Sequence, residues 1–209
     1  MTRVVRQRWT REVTWLVAFV PLLIGCGGST PSMAPSTVAA LHGEVTDVTG
    51  DAVSDPRVAV AADLVRATAD VSAGNLTVVI QFAPRTLDRP TTRVSLLLDV
   101  DRNGSTGIGQ GNGIGADYAV DFAAVSGLAT ITQANPSGCA ARQSCFNPTG
   151  SVSIVFGTDS MQVTVSLAAL GGVDGRLNFQ LNSYAIVAPA TTVVFDFMPD
   201  NNQPPGRVQ

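Results

Sequence analysis

Short runs of alternating residues, separated by turns rich in glycine and aspartate, constrain the fold of this 209-residue chain most strongly. In the run from 76 to 82, Leu76, Val78 and Ile80 share one face, and the intervening residues lie on the other. A period of two is typical of a strand with one buried face. The run from 64 to 72 precedes it, and Ala73-Gly74-Asn75 between the two runs indicates a hairpin turn.

Further segments of the same kind predict an all-β fold. They are 93–100, 117–125, 128–133, 152–157, 161–167, 177–183 and 192–197. Helical character is confined to 167–171, which is about one turn long. Short strands that each have one apolar face predict two antiparallel sheets packed as a β-sandwich, which is favoured over an open barrel. The sequence contains no recurring repeat of about 20–50 residues, so a propeller or solenoid is not expected.

The first 25 residues are typical of a secretory signal peptide. Four arginines precede an apolar run at 13–24 that is too short to anchor stably across a bilayer. The run ends in Leu23-Ile24-Gly25-Cys26, which resembles the lipobox of bacterial lipoproteins. The resemblance implies cleavage before Cys26 and attachment of a diacylglyceryl group to its thiol. The alternative is an ordinary secretory signal followed by an unrelated cysteine.

The remaining chain divides by composition. Residues 26–39 are rich in Gly, Ser, Thr and Pro, which predicts a flexible tether after Cys26. The alternating pattern predicts a β-sandwich domain over 40–202, and the polar 203–209 predict a loose tail. Export implies an oxidising compartment, so a disulfide is expected between Cys139 and Cys145, with two free thiols as the alternative.

One loop carries a motif suited to metal binding. Asp99, Asp101 and Asn103 alternate and are followed by Gly104. Oxygen ligands at alternate positions before a sharp glycine turn are how a chain wraps Ca²⁺. The pattern resembles the first half of an EF-hand loop.

The second half of that motif is missing, because Gln110 stands where a bidentate glutamate would be needed and no helices flank the loop. The sequence therefore predicts a candidate Ca²⁺ site completed from another loop, with Asp117 as the nearest candidate. The alternative is a structural β-turn without an ion, since Asp and Asn side chains also bond to their own backbone.

Several segments follow one another in a recognisable order. In chain order they are 51–63, Leu98-Asp99-Val100-Asp101, Gly115-Ala116-Asp117-Tyr118, 165–170 and 196–200. Together, over about residues 44–202, they resemble bacterial extracellular domains of the DOMON-like and family 9 carbohydrate-binding-module-like group. The resemblance implies a jelly-roll-like sandwich of about 9–11 strands, and members of this group bind carbohydrate, haem or no known ligand. Some members also carry structural Ca²⁺.

The resemblance implies little about the ligand itself. Haem-binding members use axial Met and His or Lys, whereas this chain has no Lys and its only histidine, His42, lies beside the tether, so no haem is expected. Sugar-binding members stack their ligand on aromatic rings. No Trp follows residue 25, which leaves Tyr118 and Tyr184 as weak candidates.

Composition argues against several other functions. The net charge is −3 and the 13 basic residues form no cluster in the domain, so nucleic acid is not an expected partner. The glycine-rich stretch 107–115 lacks the Gly-Lys-Ser/Thr ending and the following helix of a nucleotide loop. A Ser-His-Asp triad would have to use His42, and no Gly-x-Ser-x-Gly motif occurs, while a zinc site would need several Cys or His ligands. Catalysis is not expected, and a carboxylate hydrolase is the least favoured alternative.

The sequence thus predicts a lipid-anchored, extracytoplasmic binding or adhesion module with a candidate Ca²⁺ site and a glycan as its candidate ligand. The alternative is a structural or assembly lipoprotein that presents a β-sandwich to an envelope protein and has no small-molecule ligand. Gly27, rather than Asp, follows Cys26, which resembles the pattern of outer-membrane lipoproteins in bacteria with two membranes.

Overall fold

The computed structural model describes residues 40–109, 111–141, 144–187 and 191–209, and their fold is all-β, as predicted. The predicted signal peptide, Cys26 and the tether lie outside the described residues. The strands are β1 (Leu41–Thr46), β2 (Leu64–Ser72), β3 (Asn75–Phe82), β4 (Arg93–Asp99), β5 (Ile108–Gly109), β6 (Gly115–Ala116), β7 (Tyr118–Ala123), β8 (Leu128–Ala134), β9 (Phe146–Phe156), β10 (Ser160–Ser166), β11 (Leu177–Val187), β12 (Thr191–Met198) and β13 (Gly206–Val208). The one α-helical segment among the described residues is α1 (Pro136–Ala140).

Eleven strands form one antiparallel sheet in the order β1-β2-β3-β10-β9-β8-β7-β4-β11-β12, with β13 also paired to β11. The sheet folds over at β9, whose residues 146–153 pair with β8 and whose last three residues pair with β10. One layer is therefore β1-β2-β3-β10, and the other contains β8, β7, β4, β11 and β12. The short strands β5 and β6 form a separate two-stranded sheet.

The core lies between the two layers, because each strand turns its apolar residues inward. Leu76, Val78 and Ile80 of β3 are fully buried, as the alternation predicts. They belong to the same cluster as Leu96 of β4 and Phe179 of β11 in the other layer. This shared core holds the two layers together by removing apolar surface from water.

The β2–β3 hairpin is confirmed, and its turn has the geometry that suits two twisted strands. Ala73 and Gly74 connect the strands with φ angles of 48° and 77°. Positive φ at both central positions is the type I′ arrangement, whose twist matches that of the flanking strands.

Two stretches differ most from the predicted strands: β1 is not among them, and β9 begins at Phe146 rather than at 152. Residues 147–151 are exposed on both faces, so no apolar alternation indicates a strand there. They include Pro148 and Gly150, which are typical of loops, and the register with β8 shifts at Thr149. The predicted disulfide between Cys139 and Cys145 is present and closes the loop between β8 and β9.

The prediction of a loose tail over 203–209 is wrong, because Gly206–Val208 form β13 and pair with Leu177–Phe179 of β11. Val208 is buried in the core. A Cβ atom at Gly206 would collide with the Phe179 ring, so the missing side chain lets the strand approach. The strand was not predicted because the segment is polar and contains two prolines.

Candidate functional site

The structure brings three of the four predicted metal ligands together. Carboxylate oxygens of Asp99, Asp101 and Asp117 lie within 4.8 Å of one another, and we call this set the loop cluster. Leu98 pairs with Tyr118 across β4 and β7, so the residues next to this pair, Asp99 and Asp117, meet at the same end of the sheet. No ion is present.

The fourth predicted ligand turns its side chain elsewhere. The Asn103 side-chain oxygen accepts a hydrogen bond from the Ser105 backbone at 3.1 Å. Asn103 contributes to the loop through its backbone N–H, which donates to Asp99 and Asp101 at 2.9 Å each. Its side chain therefore stabilises the turn rather than extending the carboxylate group.

Hydrogen bonds within the protein already satisfy much of the loop cluster. Asp99 is fully buried, and its two oxygens accept from the Asn103 backbone and from the Asn178 side chain, at 2.9 and 3.0 Å. Asp117 accepts from the Val100 and Asp101 backbones at 3.0 and 3.4 Å. Burial, together with the charges of Asp101 and Asp99, raises the pKa of Asp117. The bond from Asn103 belongs to the structural turn that the sequence left open as the alternative, whereas the others join the loop to Asn178 of β11 and to Asp117.

The glycine-rich stretch folds back on this loop. A Cβ at Gly104 would collide with the Gly113 carbonyl, and one at Gly115 would collide with the Thr106 carbonyl. Ile114 is buried beside Leu97 of β4 in a small second core. The glycines therefore allow close packing of the loop against β4.

A second and larger acidic group lies at the edge where the two layers meet. Its five members are Asp47, Asp51, Asp63, Asp196 and Asp200, which we call the inter-layer cluster. They form two triads, each with carboxylate oxygens within 4.8 Å of one another: Asp47, Asp51 and Asp200, and Asp51, Asp63 and Asp196.

Backbone pairing explains why these residues converge. The Asp47 backbone donates to the Val65 carbonyl at 3.0 Å, which places the end of β1 beside the start of β2. The backbone of Leu64, the first residue of β2, donates to the Asp196 carboxylate of β12 at 2.6 Å. A bond of 2.7 Å from the Val53 backbone to the Phe195 carbonyl fixes the β1–β2 connection against β12.

The inter-layer cluster is poorly neutralised. Asp63 and Asp196 are only 4% and 5% exposed. Burial, followed by repulsion from neighbouring aspartates, raises the pKa of Asp196 to about 7. Burial likewise raises the pKa of Asp47 to about 6, and repulsion from Asp200, Asp51 and Asp63 adds to this effect. None of the ion pairs among the described residues involves a member of this cluster.

Two carboxylate oxygens of the inter-layer cluster are buried without a hydrogen-bond partner. They are Asp63 Oδ1 and Asp47 Oδ2. The other oxygen of each accepts a backbone hydrogen bond, from Gly50 and Val48 respectively. Buried polar atoms in folded proteins nearly always have a partner, so these two mark a place where a ligand or ordered water fits.

Sequence reasoning missed the inter-layer cluster as a site. Segments 51–63 and 196–200 entered only through the family resemblance, and Asp47 and Asp51 are far from Asp196 along the chain. A signal was available in the acidic composition, since 14 of the 16 acidic residues are Asp. Short aspartates at strand ends are typical of turns, however, so composition alone could not group these five.

The two tyrosine candidates have different environments. Tyr118 is 8% exposed and packs in the core, which leaves little of its ring open to a ligand. Tyr184 is half-buried and lines a depression of about 270 Å³ on the outer face of β4, β7, β11 and β12.

The depression around Tyr184 combines polar and apolar groups. Ser95 pairs with Asp121 of β7 on one side and with Asn182 of β11 on the other, so three polar side chains form a row across the sheet. Phe146, Thr192, Val194 and Leu97 complete the lining. Burial raises the pKa of Asp121, and a hydrogen bond from Ser95 opposes this shift.

Comparisons with known proteins identify no relative whose site could be compared with this one. A scan against protein-family models finds no match, and a search of curated protein sequences finds no significant relative. Within the described residues, no helix has the length and apolar character needed to cross a bilayer.

Proposed function

We propose that this chain is an extracytoplasmic, lipid-anchored binding module that recognises a glycan through the depression around Tyr184. The observation that carries the proposal is the row of Asp121, Ser95 and Asn182 beside the Tyr184 ring. Carboxylate, hydroxyl and amide groups supply both donors and acceptors for sugar hydroxyls. An aromatic ring supplies an apolar surface for the C–H face of a sugar.

The rest of the molecule supports this assignment indirectly. The lipobox-like sequence ending at Cys26 would attach the domain to a membrane, and the Cys139–Cys145 disulfide suits an oxidising compartment. The likeness to carbohydrate-binding modules in the order of motifs favours a sugar over other small ligands. A Ca²⁺ ion bound to this module would act structurally, not in catalysis.

Glycan-array screening of the purified full-length protein, followed by calorimetric titration of the best glycan, tests the proposal. Tyr184→Ala is expected to weaken binding at least tenfold, because the stacking surface is lost, and Asp121→Asn should weaken it less. Asp174→Asn is the control, since Asp174 is exposed and pairs with Arg176. The proposal fails if no glycan binds, or if Tyr184→Ala binds as tightly as Asp174→Asn.

A second candidate function is the presentation of the sandwich to a protein partner. It is favoured by exposed apolar side chains near the β7–β8 connection, where Val125 is 66% and Val155 62% exposed. The Arg89 guanidinium stacks over the Phe156 ring beside them, 4.4 Å from its centroid. Photo-crosslinking from position 125 in intact cells, compared with position 70, would detect such a partner. Equal labelling from both positions would argue against it.

A further inference from the structure

The inter-layer cluster holds more negative charge than its surroundings neutralise. Five carboxylates converge from the β1–β2 connection, β12 and the segment after β12. None of the ion pairs within the described ranges reaches them. Gathering anions in this way without a compensating charge is unfavourable, and the cost is greatest for Asp63 and Asp196, which are nearly inaccessible to water.

An unpartnered buried oxygen distinguishes this cluster from an ordinary acidic surface. The Asp63 carboxylate is 4% exposed, belongs to the triad with Asp51 and Asp196, and leaves Oδ1 without a partner. Asp47 Oδ2, in the triad with Asp51 and Asp200, is also buried and unpartnered. The two triads share Asp51, so a cation bound in the Asp63 triad would lie close to the triad that contains Asp47.

We propose that the triad of Asp51, Asp63 and Asp196 binds Ca²⁺, with Asp47 and Asp200 completing the charge around it. Ca²⁺ takes oxygen ligands at about 2.3–2.6 Å, so two of its ligands are at most about twice that far apart. The triad oxygens lie within 4.8 Å of one another, close enough for one ion to contact all three. An all-oxygen, irregular set of carboxylates suits Ca²⁺ better than the softer transition metals, which prefer nitrogen or sulfur.

The position of the site gives the ion a structural consequence. Asp51 and Asp63 belong to the connection that enters β2 in one layer, whereas Asp196 belongs to β12 in the other. The two hydrogen bonds between these elements, from Leu64 and from Val53, already bring them together. Bound Ca²⁺ clamps the two layers at this edge, and its removal leaves repelling carboxylates at the same place.

Thermal unfolding of the purified full-length protein at pH 7 tests the clamp, with EGTA, CaCl₂ or MgCl₂ in the buffer. Ca²⁺ at about 100 times its Kd is expected to raise the midpoint by roughly 5–10 °C, because it binds only the folded form. Mg²⁺ at the same concentration is expected to raise it less. An equal rise with Mg²⁺ would overturn the assignment to Ca²⁺, and no rise with millimolar Ca²⁺ would overturn the site.

Asp51→Asn is the decisive variant, because Asp51 is exposed and is shared by both triads. It is expected to lose most of the Ca²⁺-dependent rise. In EGTA its midpoint should equal or exceed that of the unchanged protein, since one repelling charge is gone. A merely structural role for Asp51 would give a lower midpoint under both conditions, and that result would contradict the proposal.

Asp101→Asn is the matched control, since Asp101 is an exposed member of the loop cluster. It is expected to keep the full Ca²⁺ response. If it instead loses the response while Asp51→Asn keeps it, the ion belongs to the loop cluster and the proposal is wrong. Asp200→Asn, also exposed, provides a second test, with a smaller loss of Ca²⁺ affinity expected than for Asp51→Asn. The glycan experiments use different residues, so the two proposals can fail independently.

Discussion

The two acidic clusters both consist of aspartates, but they differ in whether hydrogen bonds satisfy the buried carboxylate oxygens. In the loop cluster, Asp99 is fully buried, yet both of its oxygens accept hydrogen bonds from nearby groups. In the inter-layer cluster, Asp63 is almost as buried, yet one of its oxygens has no partner. The comparison shows that a buried carboxylate is not by itself evidence of a metal-binding site. The number of its acceptor positions left unfilled is more informative.

The origin of the ligands also separates the clusters. The loop cluster lies at the β4–β7 connection, and its carboxylates accept hydrogen bonds from that connection and from the Asn178 side chain of β11. The inter-layer cluster joins segments about 130 residues apart along the chain, so no local turn can neutralise it. A site of the first kind is stable with or without an ion, whereas a site of the second kind gains from one.

The largest effect is expected from pH in the presence of EGTA. The pKa of Asp196 is raised to about 7 and that of Asp47 to about 6, from an ordinary value of 3.8. Because the folded state holds these two protons more tightly than the unfolded state, their contribution to stability is greatest below about pH 4 and is lost as pH rises to about 7, on the order of a few kcal/mol.

Chemical denaturation across this pH range measures the change. The groups facing Asp196 are Asp47, Asp51 and Asp63, so Asp51→Asn should give a shallower fall. Saturating Ca²⁺ should largely remove the fall, since the ion stabilises the charged forms. Stability that rises with pH in EGTA would contradict this account of the inter-layer cluster.

An intermediate effect is expected from Asp99→Ala in the loop cluster. The change leaves the Asn103 backbone and the Asn178 side chain without their acceptor, at a cost of about 2–4 kcal/mol. Urea unfolding should give the same loss in EGTA and in Ca²⁺, because the carboxylate acts through these hydrogen bonds. A loss seen only in Ca²⁺ would show that Asp99 acts through an ion.

The smallest effect is expected from Asn103→Ala. Its side chain accepts one exposed hydrogen bond, from Ser105, so the loss should be about 0.5–1 kcal/mol. The Ca²⁺ response should be unchanged, as the side-chain oxygen is used within the turn. Weaker Ca²⁺ binding by this variant, measured by calorimetric titration, would restore Asn103 as a ligand.

The fold was predictable where each strand has one face buried in the core, because such a strand shows a period of two in its apolar residues. Leu76, Val78 and Ile80 show this pattern, and the hairpin turn before them is encoded locally. Prediction failed where burial comes from outside the segment. The start of β9 is exposed on both faces, and β13 exists because Gly206 can approach the Phe179 ring.

The same distinction applies to the candidate sites. The spacing of Asp99 and Asp101 indicated a cluster, because those residues share one loop and Asp117 directly precedes β7, which pairs with β4. The spacing of Asp51, Asp63 and Asp196 carries no such signal, because their proximity depends on how β12 lies against β2. Sites assembled across layers require the tertiary structure.

The most direct test is an anomalous diffraction experiment on crystals of the protein grown with CaCl₂, measured at a wavelength where calcium scatters anomalously. A Ca²⁺ ion bound at the inter-layer cluster would give a peak among the carboxylates of Asp51, Asp63 and Asp196, within about 2.3–2.6 Å of an oxygen from each. Ordered water or hydrogen-bonded carboxyl groups at that position without an anomalous peak, or a peak confined to Asp99, Asp101 and Asp117, would contradict the proposed Ca²⁺ site.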